Sequence, residues 1–194
     1  MYYVKAIKGD LIELTNCIQG AFAEAATAGA ATWDVLYDSG VLGSSGAIST
    51  GTFSAPDRFI KVLFYGASVA STTQGITCNN SNGSVEYAFQ SQRDFATLVQ
   101  FNDEKSLFVF GGVNTSNPMF FEMTLYNQDN TDDHLMHMNT VANTTTGNTY
   151  PASYLVFGKW YGGATITRFD MVSGNLGTQI DFQAGSRMLV LATG

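Results

Sequence analysis

The chain has 194 residues, nine Lys plus Arg against 16 Asp plus Glu, a net charge of −7 and only 13% charged side chains. The few cations are scattered, so there is no clustered basic footprint of the kind that neutralises nucleic-acid phosphates. No run approaches the ~18 uninterrupted apolar residues of a membrane span, and Met1-Tyr2-Tyr3-Val4-Lys5 does not open a secretory signal. Two cysteines, Cys17 and Cys78, are too few for a disulfide-built secreted domain. They read as free thiols of a reducing cytoplasm, with one bridge between them as the lesser alternative.

Residues 1–32 differ from the rest. Asp10 followed by Glu13 has the form of a capping box. Leu11, Leu14, Ile18 and Phe22 then follow at helical spacing. A helix is predicted over about 10–28, with a flexible link through the Ala-rich stretch around Gly29. The competing reading is a β-hairpin turning at Gly9-Asp10. In either case this arm has little apolar surface of its own and needs a surface to lie on.

From Trp33 the period changes to two. Strands are predicted at 33–37, 48–53 and 59–65, with Ala55-Pro56-Asp57 as a turn between the last two. Residues 76–78 form a short further strand. Asn82-Gly83 is a strong hairpin signal, because both residues tolerate the positive φ of a type I′ turn. Strands follow at 85–89, 95–101, 105–110 and 119–126, the last preceded by Pro118. Residues 134–138, 153–160, 165–169, 180–182 and 187–192 complete the set. Many short strands without alternating helices argue for an all-β fold. The expected form is a jelly-roll-like β-sandwich over 33–194 with a short N-terminal helical arm over 1–32.

Reactive constellations are sparse. His134 and His137 are the only histidines, and on one strand they take opposite faces. They read as ordinary strand or turn residues, and no metal site is assigned to them. Asp129, Asp132 and Asp133 lie in an oxygen-rich loop, a weak calcium candidate without the glycine and terminal Glu of an EF-hand. No nucleophile elbow or phosphate-binding loop is present. The reading is therefore no enzyme, no catalytic residue and no cofactor. Trp33, Tyr37, Tyr150, Trp160 and Tyr161 could stack on sugars, although such aromatics more often fill cores or interfaces.

Four stretches carry a family likeness. They are Trp33-Asp34-Val35-Leu36 with Leu42-Gly43-Ser44-Ser45-Gly46-Ala47-Ile48-Ser49 and Phe53; Pro56-Asp57-Arg58-Phe59-Ile60-Lys61-Val62; Gly158-Lys159-Trp160 with Ala164-Thr165-Ile166-Thr167-Arg168-Phe169; and Asp181-Phe182-Gln183-Ala184-Gly185-Ser186-Arg187 before a terminal apolar strand. In this order the chain resembles small virion structural proteins of tailed bacteriophages, particularly those of marine bacteria. The resemblance covers roughly 33–194; the segment 71–93 is richer in Asn, Ser and Thr, and the arm has no matching stretch. It implies a β-sandwich component of the virion exterior, made in the host bacterial cytoplasm. The leading expectation is a capsid decoration, or cement, protein on the head. It would contact the major capsid protein and its own copies, as a homotrimer by analogy, with no nucleic acid and no membrane as partner. The alternative is a receptor- or glycan-binding module of a tail fibre or spike. Leu11, Leu14, Ile18 and Phe22 are the expected capsid or oligomer contacts. Trp33, Phe59 and Trp160 are expected in the core, and Gly185 at a bend that aims the last strand. Arg58 and Arg187 are expected to pair with Asp57 or Asp181.

Overall fold

The computed structural model describes residues 32–55, 58–69, 72–81, 86–94, 98–110, 118–128, 133–143, 151–173 and 177–193. Among them there is no helix. The strands are β1 Trp33–Asp38, β2 Gly46–Ala47, β3 Arg58–Gly66, β4 Gln74–Cys78, β5 Tyr87–Arg93, β6 Val99–Glu104, β7 Leu107–Phe110, β8 Met119–Asn127, β9 His134–Ala142, β10 Ala152–Trp160, β11 Phe169–Ser173, β12 Asp181–Phe182 and β13 Arg187–Thr193. The predicted arm helix over 10–28, with Leu11, Leu14, Ile18 and Phe22, lies outside the described residues, as do the Asn82-Gly83 turn, Asp129 and Asp132.

Period two decides the architecture. In β9 burial alternates without a break from His134 to Ala142, and β3, β8 and β13 follow the same rule. Ile60, Val62, Phe64, Phe121, Met123, Met138, Met188 and Val190 all face inward. Fully burying such a side chain contributes about 1.5–3 kcal/mol, so this one face supplies much of the driving force. These strands join an eight-stranded sheet in the order β1-β13-β3-β8-β9-β10-β5-β6. A three-stranded sheet, β11-β4-β7, and a two-stranded pair, β12-β2, are separate from it.

The small sheets lie against the inward face of the large one. Phe64 of β3 meets Phe182 of β12 edge to face, with ring centroids 5.0 Å apart. The Cys78 N–H at the end of β4 donates to Tyr87 Oη of β5 at 2.6 Å. Gly158 of β10 sits so close to Leu107 of β7 that a Cβ there would collide with the leucine side chain. β4 and β11 are buried along their whole length, which fits strands enclosed on both sides.

The pairings are antiparallel and nested. β2 pairs with β12, β4 with β11, β5 with β10 and β8 with β9, so early strands meet late ones and middle strands meet each other. β3 takes both β13 and β8 as neighbours. This nesting overturns the predicted hairpin across Asn82-Gly83. Its flanking strands, β4 and β5, belong to different sheets.

Two residues expected in the core lie outside it. Phe59 is 52% exposed, because Ile60, Val62 and Phe64 take the inward positions of β3 and strand parity turns Phe59 outward. Trp33 is 42% exposed on β1, the sheet's edge strand. Ring size suggested burial for both; position on the strand decides otherwise. Trp160 is buried, its indole N–H donating to Glu86 Oε2 at 3.0 Å. Gly185 adopts φ +90° in the turn before β13, a region that glycine enters without a Cβ penalty. Of the predicted ion-pair partners, Asp57 lies outside the described residues, and the pairs seen for Arg58 and Arg187 are with other aspartates. Arg58 bonds Asp34 at 2.5 Å and the Thr193 carbonyl, and Arg187 bonds Asp38 at 2.5 Å. The start of β1 thus meets the end of β13, and its end meets the start of β13, as antiparallel neighbours require.

The predicted strand over 165–169 begins only at Phe169, and the reason is local. Asn127 Nδ2 donates to the Ile166 carbonyl at 2.9 Å and its Oδ1 accepts from the Ile166 N–H at 2.8 Å. From the other side, Asn79 Nδ2 donates to the Thr165 carbonyl at 2.8 Å and its Oδ1 accepts from the Thr167 N–H at 2.7 Å. Two side-chain amides stand where neighbouring strands would, joined by the Phe53 N–H, which donates to the Thr167 carbonyl at 2.7 Å, and residues 165–168 belong to no ladder.

Candidate interaction surface

Strand parity that fills the core also loads the opposite face of the large sheet. Registered neighbours there include Tyr65 with Phe120, Phe120 with Val141, Leu63 with Leu189, and Phe59 with Tyr126. The Phe59 and Tyr126 rings lie 4.9 Å apart. Leu135 is 71% exposed and Phe157 is 49% exposed. An antiparallel sheet with one solvated face normally alternates apolar inside with polar outside. Here large apolar side chains recur on both faces, in two outward clusters separated by Lys61, Thr124 and Glu122, and exposed apolar clusters of this kind mark candidate interaction surfaces.

Charges on and around this face are tied together. Lys61 bonds Glu122 at 2.6 Å and Lys159 bonds Asp133 at 2.7 Å. At the β1 edge, the Arg187 guanidinium donates to Asp38 and holds its carboxyl below the usual carboxylate range, helped by the Gly40 N–H. At the other end of the sheet, the Ser153 N–H donates to Asp94 at 2.7 Å and lowers that carboxyl too. Exposed pairs of this kind contribute only about 0–1 kcal/mol each. Their effect on the face is to leave it close to neutral locally.

The sequence-predicted sites are dispersed. His134 is buried and stacks near Trp160 with centroids 5.4 Å apart, whereas His137 faces outward and stacks on Phe157 at 5.2 Å. The two histidines therefore occupy opposite faces of β9. Asp133, the one residue of the calcium candidate that is described, is engaged by Lys159. No group of three His, Cys, Asp or Glu side chains converges as a metal site among the described residues. Of the aromatics named as sugar platforms, Trp160 lies inside and Trp33 lies out on β1, so they do not form one platform. Cys78 is a free, buried thiol whose pKa burial pushes up, which makes it a poor nucleophile.

Sequence reasoning missed a groove of about 330 Å³ on the outward face. Its lining includes Gln90, Gln100, Asn102, Leu135, Phe157 and Lys159. Parity within 153–160 could have found Phe157, since Val156 and Trp160 take the inward positions. The register that sets Phe157 beside Gln90 is a tertiary fact with no local signal. No protein-family model and no curated protein matches the chain.

Proposed function

We propose that this chain is a structural protein of a phage particle, most concretely a decoration protein that binds the exterior of the head and stabilises the shell by protein–protein contacts. The observation that supports it is the outward face of the eight-stranded sheet, which exposes Phe59 and Tyr126 towards one end of β3 and β8 and Tyr65 and Phe120 towards the other, with the Lys61–Glu122 pair between them. Such a face gains free energy when it is covered, at roughly 25 cal/mol per Å² of apolar surface removed from water. A low charge content suits a molecule that meets protein rather than nucleic acid. In this proposal the occupant is the major capsid protein, with further copies of the chain completing a closed trimer. The nested pairings of β2 with β12, β4 with β11 and β5 with β10 are those of a folded-over hairpin, and they support a jelly-roll-type sandwich. Residues 1–32, with Leu11, Leu14, Ile18 and Phe22, are assigned to docking in the same proposal.

The test adds purified full-length protein to capsids that lack it and, in parallel, to host cells. Saturable capsid binding is expected. A Phe59→Ser, Phe120→Ser double variant should bind at least about tenfold more weakly with an unchanged thermal midpoint, since two exposed anchors at about 1 kcal/mol or more each amount to that factor. Full occupancy by the double variant, or binding to cells and not to capsids, would overturn the proposal.

A further inference from the structure

The groove on the outward face has a chemistry of its own. It opens where β9, β10, β5 and β6 run side by side. One cross-strand row leads into it: His137, beside the lining, lies opposite Phe157, and within the groove Phe157 lies opposite Gln90 and Gln90 opposite Gln100. With strands about 4.8 Å apart, three spacings carry this row about 14 Å. One end is an aromatic platform, Phe157 stacked with His137 at an interplanar angle of 24°. The other end is a pair of exposed amides, Gln90 and Gln100, with the exposed Asn102 on the same β6 strand. Among the described residues Lys159 is the one charged side chain of the lining, and Asp133 holds it at 2.7 Å.

These features narrow the ligand. Among the described residues of the lining, no unpaired cation waits for a phosphate, sulfate or carboxylate. A purely apolar ligand would strip water from three amides and return nothing to them. β10 and β5 are paired on both sides, so an added peptide strand could reach backbone only along the outer flank of β6, at the rim and away from Phe157. What remains is a neutral molecule with hydroxyls along its rim and apolar C–H faces. A primary amide offers two donors and an acceptor, which matches hydroxyls that both give and accept. We propose that this groove binds a neutral oligosaccharide, with one sugar ring seated on Phe157 and the hydroxyls of its neighbours bonded to Gln90, Gln100 and Asn102. The proposal does not depend on the head-decoration reading. A shell protein with this groove would also hold the particle against a polysaccharide surface.

The full-length protein is applied to an array bearing neutral glycans, including cellohexaose and laminarihexaose, and anionic ones, including heparin fragments. Retention on neutral glycans is expected. Loss of the platform in Phe157→Ala should weaken it about tenfold, the size of one good aromatic contact. The Gln90→Ala, Gln100→Ala pair should weaken it similarly, and Phe157→Tyr should retain it. All three variants replace exposed side chains, so their thermal midpoints should match the parent's. Retention confined to anionic glycans, absence of retention, or neutral-glycan retention indifferent to these variants would overturn the proposal. So would loss of capsid binding in Phe157→Ala without any glycan retention by the parent, since that result would give the groove to a protein partner. Failure of the parent to bind capsids while it still binds neutral glycans would remove the decoration reading and leave this one standing.

Discussion

Asn127 does more for this fold than its size suggests. It is buried at the end of β8, and its amide spends both donors and its acceptor on backbone: the Ala55 carbonyl at 2.8 Å and both polar groups of Ile166. Replacing it by Ala would leave two carbonyls and an N–H without partners in a dry site. Each unsatisfied group costs about 1–3 kcal/mol, so Asn127→Ala should lose about 3 kcal/mol or more in urea unfolding. Asn127→Asp should be no better, because a carboxylate oxygen would then face the two carbonyls. A variant within about 0.5 kcal/mol of the parent would show that water can replace the amide. Asp38 and Asp94 act at the same scale but respond to pH. Their folded pKa values are lowered, so their contribution is present above the unfolded carboxylate value and is lost as pH falls through the folded one. Stability should therefore decline below about pH 4. Asp38→Asn should show a shallower decline between pH 5 and pH 2 than the parent; superimposable acid curves would remove the Arg187 pair from the account.

At the scale of strands, alternation was readable wherever one face is buried. Residues 119–126 and 134–138 announce β8 and β9; β8 runs one residue longer than predicted, and β9 runs four longer, to Ala142. Where alternation stops being informative, sequence reading fails for identifiable reasons. Thr165 to Thr167 looks like a strand, but it is held by two asparagine amides and by the Phe53 N–H on the Thr167 carbonyl. Residues 48–53 look like a strand, yet only Ile48 to Thr50 flank β11, with the Met171 N–H donating to the Ile48 carbonyl and the Thr50 N–H to the Phe169 carbonyl. Gly158 lies in the middle of β10, and its missing Cβ lets β7 approach, because Leu107 fills the space. Gly158→Ala should cost about 1–3 kcal/mol from overpacking. Combined with Leu107→Ala, it should cost less than the sum of the two single changes, since each relieves the other. Strict additivity in urea titrations would refute this close contact.

For the whole molecule, the class of fold was legible and the wiring was not. Composition and period two gave an antiparallel all-β chain. They could not tell which strand meets which, because β3 and β13 are apolar on both faces and accept several partners equally well. The same ambiguity misplaced Phe59, whose ring fits a core as readily as an outer face. The outward face itself was half visible: Met188-Leu189-Val190-Leu191 is apolar at every position, so one side of that strand must point away from the core. The groove was invisible, since Gln90, Gln100 and Phe157 come together only through register. Its amides look in sequence like any polar strand residues.

The position of β13 has a cost in time. Leu63 waits for Leu189, and everything from Gly66 to Arg187 must be synthesised before that partner exists. Until then β3 holds one bare flank of hydrogen-bonding groups in the middle of the future sheet, and loop closure over so long a stretch is slow. A nascent chain in this condition can zip onto the matching flank of a sibling on the same messenger. Crowded expression should therefore tip this protein toward exchanged or tangled species, and slower, cooler production should favour chains that wait for their own last strand.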